Sequence, residues 1–420
     1  MISKARCILL CLLLLTGCGS GDGDSNGAGP AEQEPTIKIG LLTELAGLWE
    51  QFGLPWELAA KMAIEEINAG GGVLDRDLEL ISLHAEPDVA AMKENAQTLI
   101  DRGAVAIVGP AFSEIFPAVA NEVALPQGML LITPSVTSPT LSKLDDDGLV
   151  WRTAPSDALL GKVASRYARE TLGRQTAGIL VLDNAYGQGL AETFSAEFTA
   201  QGGQVLTQVP YPNLSSEEVA AYDYREHIEE LVGGEPDLLF LTAREEQIAK
   251  ITIALKNHLG DSYKPALLTS ANRSDDWLAN ADPSVVEGMR GIVPIPSQDS
   301  PGYRTFSTRF KEKYQVDPVQ FADGVYDAFY LLALAMEQAD SAIPGDIAAQ
   351  LQSVSAGGTK VGVGEYSRAR QLIGQPADID YDGASGAIDF ESNGDVPNGS
   401  YSIWEISSGQ FADIESITFP

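Results

Sequence analysis

From residue 37 onward, short apolar runs alternate with longer amphipathic ones. Residues 37–42 (IKIGLL) read as a strand, and 56–68 as a helix with Trp56, Ala60, Ala63 and Ile67 on one face, stopped by the glycines at 70–72. Strands follow at 78–83, 104–108 and 129–132, with helices at 90–100 and 114–123. The pattern restarts with strands at 178–182, 204–209, 238–242 and 266–269, separated by helices at 189–200, 225–231 and 246–258. Strands this apolar are buried on both faces, as in parallel sheets covered by helices. The expected fold class is therefore α/β, with two doubly wound parallel-sheet lobes. After residue 292 come helices at 303–314 and 321–339, an Ala/Gly-rich piece, and a closing hairpin near 388–406 turned by Asn393-Gly394. No period of roughly 20 to 50 residues repeats, which excludes a solenoid.

The first residues change the picture. Lys4 and Arg6 precede an apolar stretch at 8–15 and then Leu15-Thr16-Gly17-Cys18. A charged start, a short apolar run and small residues before a cut mark an export signal over 1–17. The run is too short to span a bilayer, which needs roughly 20 apolar residues. Its ending resembles the lipobox of bacterial lipoproteins, which implies that Cys18 becomes the first mature residue and carries lipid. Residues 18–35, rich in Gly, Asp, Ser and Asn, then read as a flexible tether. All three cysteines, Cys7, Cys11 and Cys18, lie in this leader or at its cut, so the expected body has no disulfide. It relies on its core, and with 44% hydrophobic residues the chain suffices for two ordinary domains. Net charge is −32, and −34 once Lys4 and Arg6 leave with a segment that contains no acid. Such a surface repels nucleic acid and anionic lipid.

The marks of common α/β enzymes are missing. No G-x-G-x-x-G follows the first strand, and neither a G-x-S-x-G elbow nor a P-loop occurs. Gly187-Gln188-Gly189 opens a helix, but Glu192 stands where the third glycine belongs. His84, His227 and His258 are solitary, without metal-ligand spacing. Residues 389–395 are similar to the start of a calcium loop, but Ser400 holds the place of its bidentate Glu. Neither cofactor nor metal is expected.

Seven segments carry a specific resemblance: IKIGLLTELAG from Ile37, AIEEINAGGGVLDRDLEL from Ala63, AIVGPAFS from Ala106, LITPSVTSP from Leu131, WRTAPSDALLG from Trp151, LDNAYGQGLAETF from Leu182 and GVYDAFYLLALA from Gly324. In this order and spacing they resemble the leucine/isoleucine/valine-binding family of type I periplasmic binding proteins, across nearly the whole mature chain. The resemblance implies two lobes joined by three hinge crossings, with ligand held between them. The crossings are expected near 152–155, 291–295 and 378–387. Residues 36–154 with 293–378 then form one lobe, and 155–292 with 379–420 the other.

In open parallel sheets ligands bind beyond the carboxyl ends of the strands. Ser113 stands there, after strand 104–108, either as a ligand-binding hydroxyl or as the N-cap of the next helix. The resemblance implies that Ser113 and the segment of Ser135 and Thr137 hold a carboxylate. It also implies that Phe52 and Tyr186, one per lobe, wall the cleft, with Trp49 sharing the role; packing in the core is the alternative for Tyr186. Where the family's amino-acid binders carry an acid for the ligand ammonium, this chain has Asn272. Either the ligand lacks an amine, or Glu114, Asp275 or Asp276 supplies the charge. Glu114 can equally be an acid favoured by a helix N-terminus.

The function implied is capture of a small amino acid, carboxylate or amide by a monomeric, lipid-anchored protein outside the cytoplasm, without enzymatic activity, for delivery to an ABC permease. A sensor reporting the same ligand to a receptor is the alternative.

Overall fold

A computed structural model describes residues 35–44, 50–260, 262–296, 298–375 and 378–419. The leader, Cys18, the tether to residue 34 and Trp49 lie outside the described residues. The strands are β1 (Ile37–Glu44), β2 (Leu78–Ala85), β3 (Ala104–Val108), β4 (Leu130–Thr133), β5 (Val150–Arg152), β6 (Thr176–Asp183), β7 (Gln204–Pro212), β8 (Leu238–Leu241), β9 (Ala266–Thr269), β10 (Arg290–Ile295), β11 (Thr359–Gly362), β12 (Ile379–Asp382), β13 (Gly399–Ser407) and β14 (Gln410–Phe419). Within one compact unit, Pro35–Pro420, they form two large sheets.

The first sheet runs β2-β1-β3-β4-β5, all parallel. In the second, β7-β6-β8-β9-β10 repeat that arrangement and the antiparallel pair β13-β14 extends it beyond β10. Side-chain alternation explains why these strands are apolar throughout. Ile39, Leu41, Ala106 and Val108 enter one core, while Leu42, Ile107 and Leu131 enter another on the opposite face. The second sheet divides likewise, with Leu180 and Leu182 on one side and Ile179 and Val181 on the other. Helix Ala322–Ala339, buried without interruption from Ala322 to Met336, fills the larger core of the first lobe.

Three passages join the lobes. The chain leaves β5 and enters the second lobe at helix Asp157–Arg166, whose N-cap Ser156 accepts from the Ala158 N–H at 3.2 Å. It returns after β10, since Phe306 and Phe310 of helix Pro301–Tyr314 pack in the first core. The third passage corrects the expectation of 378–387. β12 pairs with β11, and Ile379, Tyr381, Ile388 and Val396 all lie in the first core, so the chain crosses between Val396 and Gly399. Asp327 holds this returning segment: its carboxylate accepts from Tyr381 Oη at 2.8 Å and from the Ala384 N–H, Ser385 N–H and Ser385 Oγ at 2.7 Å each.

The closing hairpin also lies elsewhere. Its strands are β13 and β14, turning at Ser408-Gly409. Asn393-Gly394 does turn, with the Gly394 N–H bonded to the Glu391 carbonyl at 3.0 Å and Gly394 at φ 78°, but no strands flank it. This loop instead clamps Arg152, which is fully buried. The Gly394 carbonyl accepts from the Arg152 N–H at 3.0 Å, and Asp395 pairs with its guanidinium at 2.7 Å. The same guanidinium donates to the Ser138 carbonyl at 2.9 Å and to Ser142 Oγ at 2.8 Å. Arg152 thereby fixes the loop that follows β4.

Candidate ligand-binding site

The carboxyl ends of the two sheets face each other. In each sheet the strand order reverses beside the first strand, the switch point at which loops splay and leave a crevice. A cavity of about 150 Å³ lies there, lined from both lobes. Its walls include all seven candidates: Phe52, Ser113, Glu114, Ser135 and Thr137 from the first lobe, Tyr186 and Asn272 from the second. Asp275 and Asp276, in the first turn of helix Asp275–Asn280, face an outer groove instead. A volume of this size accommodates a molecule of roughly benzene dimensions.

The loop after β3 carries Ser113. It does not cap the next helix, which runs Phe116–Val119 with Ile115 at the N-cap and Pro117 in its first turn. Its hydroxyl oxygen accepts from the Ser138 N–H at 3.4 Å, which leaves the proton to donate into the cavity. After β4, Ser135 donates to the Ala111 carbonyl at 3.0 Å, and Thr137 donates to Asp157 at 2.7 Å. Those two hydroxyls therefore brace the loops and join the lobes.

In the second lobe, Asn184 caps helix Ala185–Ala200 by accepting from the Gly187 N–H at 2.9 Å, which sets Tyr186 in the first turn. Tyr186 donates to Ser270 Oγ at 2.6 Å, so its ring stands as a fixed wall. Burial, with Asp157 nearby, pushes its phenol well above the usual range. Asn272 follows β9, and its carbonyl accepts from Trp277 Nε1 at 2.9 Å.

Two residues that the sequence reading passed over complete the charge pattern. Arg244, at the N-cap of helix Glu245–Leu255 after β8, pairs across the cleft with Glu114 and lies over the Phe112 ring at 5.1 Å. Asp157 is only 2% exposed, and burial pushes its carboxyl up to about 7 against the pull of Thr137 and Arg152. Their signals were a charged residue at the carboxyl end of a strand and an acid just inside a capped helix after the first crossing. Both are also common helix-start features. Glu114 ties one carboxylate oxygen to Arg244, whereas its Oε2 is buried with no hydrogen-bond partner. With Glu245, the cavity has three acids against one base, Arg244, among the described residues.

A family model described as periplasmic binding protein matches residues 36–409. The chain belongs to this family. Its relatives include the leucine-, isoleucine-, valine-, threonine- and alanine-binding protein of Pseudomonas aeruginosa, 22% identical over 88% of this chain and 90% of that one. Another is the substrate-binding protein BasB of a chemotactic signal transduction system in Halobacterium salinarum, 27% identical over 84% of this chain and 83% of that one. Among solved structures, a leucine-binding protein of Thermotoga maritima superimposes with a TM-score of 0.72 at 21% identity, over 91% of this chain and 99% of that one. The family therefore includes the leucine/isoleucine/valine-binding proteins, its fold is the two-lobed one described above, and its members bind solutes outside the cytoplasm. No helix among the described residues is long and apolar enough to cross a membrane.

Proposed function

We propose that the chain is a solute-binding lipoprotein, without catalytic activity, that holds a small α-amino acid between its lobes and hands it to an ABC importer. Glu114 Oε2 carries this reading. It is buried without a donor in a residue that lines the cavity, and such an oxygen is costly until a donor arrives. A ligand ammonium supplies donor and charge together. The excess of acids over bases in the cavity favours such a ligand over a bare carboxylate. Of the two readings left open by Asn272, this arrangement supports the one in which an acid from the first lobe takes over the ammonium. Ser113 then donates to the ligand carboxylate, Phe52 and Tyr186 wall its side chain, and Asn272 offers its amide from the second lobe. Ser135 and Thr137 act by holding the loops that form the site.

A thermal-shift screen of amino acids, amides, carboxylates and aromatic acids tests the reading, because a specific binder raises the melting temperature by mass action. At least one α-amino acid should stabilise the protein more than its deaminated analogue does at the same concentration. Stabilisation by carboxylates lacking an amine, with none from amino acids, would overturn it.

Anchoring rests on Cys18. Cys18→Ser should release a soluble protein, and lipid labelling that persists in this variant rules the anchor out. The similarity to BasB favours a second reading, in which the loaded cleft reports to a signalling receptor. Neighbouring genes for a permease and ATPases support import, and a neighbouring transducer or kinase supports sensing.

A further inference from the structure

A second cavity, of about 370 Å³, lies behind the crossings. Its walls take Thr153 and Pro155 from the first passage, Pro294 and Pro296 from the second, and Asn398 and Gly399 from the third. No basic side chain among the described residues lines it. Its polar side chains are otherwise hydroxyls and amides, but one lining residue is an acid. Asp323, in the first turn of helix Ala322–Ala339, is 5% exposed and is bonded by the N–H groups of its own turn. The titratable groups that face it are Asp327, one turn on, and Tyr303 of helix Pro301–Tyr314. Asp327 is already satisfied by four donors from Tyr381, Ala384 and Ser385, so among the described residues the surroundings of Asp323 are negative and hold no counter-charge.

We propose that this hinge cavity is a second ligand site, separate from the cleft, which takes a small protonated amine on Asp323. A desolvated carboxylate without a cation is unfavourable, and an ammonium offers it charge and a hydrogen bond while its other N–H groups meet the hydroxyls around it. A hard divalent ion suits the site poorly, because a single carboxylate supplies little charge for it and no group of three or more metal-ligating side chains occurs among the described residues. The volume holds several heavy atoms. Because all three passages form the walls, an occupant senses the angle between the lobes, and by linkage alters the affinity of the cleft. Burial and Asp327 push the Asp323 carboxyl up to about 7, so the site gains its charge as the pH rises through neutrality.

Calorimetry with ethanolamine, and with ethylene glycol as the uncharged analogue, tests the site on the full chain at pH 6 and pH 8. Ethanolamine should bind at pH 8 and about tenfold more weakly at pH 6, as follows for a carboxyl ionising near neutrality; ethylene glycol should not bind. Asp323→Asn should abolish the binding, while Glu114→Gln, at the ammonium position of the cleft, should leave it intact. Absence of binding, equal binding at the two pH values, or retention in Asp323→Asn overturns the proposal. Loss in Glu114→Gln overturns it as well, by placing the amine in the cleft. Where Asp323→Asn fails to fold, Glu114→Gln keeps the test open, because amine binding that it leaves unchanged lies outside the cleft.

Discussion

Glu114 stands where the lobes meet, one oxygen on Arg244 and the other buried without a hydrogen-bond partner. Glu114→Gln keeps the size and removes the charge. Affinity for an α-amino acid should fall by about 1.5–3 kcal/mol, the range for a hydrogen bond to a charged group, while affinity for the deaminated analogue holds or rises as Arg244 loses its partner. Ser113→Ala should weaken both ligands by about 1–3 kcal/mol, and Asn272→Asp should hold or raise affinity for the amino acid. Calorimetry on the three variants decides; an equal loss of both ligands in Glu114→Gln reduces that residue to a structural role. Ser113 was legible as a loop residue beyond a parallel strand, whereas Phe52, Ser135, Thr137, Tyr186 and Asn272 came from the resemblance and Glu114 from the acid that the resemblance demands; all seven line the cavity. Asp157 and Arg244 were legible by neither route. A charge at a helix start has a sufficient local explanation in the helix dipole, and only the meeting of two lobes reveals that Arg244 faces Glu114.

At the scale of elements, the loop Glu391–Asp395 decides how the first passage is held. Asp395 neutralises a guanidinium that has no exposure, and the same guanidinium fixes the loop bearing Ser135 and Thr137. Removing one partner of a buried pair leaves an uncompensated charge, so Asp395→Ala should cost about 3–5 kcal/mol of stability in urea unfolding. A loss below about 1 kcal/mol contradicts this role, since exposed pairs contribute no more than that. Strand and helix order was legible because hydrophobic periodicity reports burial directly. The third passage was not, because 379–396 carries no long apolar run. It is held to the first lobe by polar bonds to Asp327 and by scattered contacts such as Tyr381 and Ile388. Asn393-Gly394 has the composition of a hairpin turn, but the strands it needs are absent. Turn chemistry specifies a bend, and tertiary pairing decides what the bend connects.

For the whole molecule, the repeated strand order of the sheets places two carboxyl edges face to face, and the bonds between them are few and polar. Thr137 to Asp157, Ser138 Oγ to the Ala185 carbonyl at 2.8 Å and Glu114 to Arg244 join the lobes beside the cavity. A ligand that touches both walls adds to these contacts only when the lobes are closed, so its binding energy shifts the balance toward the closed form. Small-angle scattering on the soluble Cys18→Ser protein, titrated with an amino acid that raises its melting temperature, tests this most directly. The radius of gyration should fall and saturate at the ligand concentration that saturates the calorimetric signal, and at the same concentrations Glu114→Gln should show a smaller fall. A confirmed binder that leaves the scattering curve unchanged contradicts capture between closing lobes.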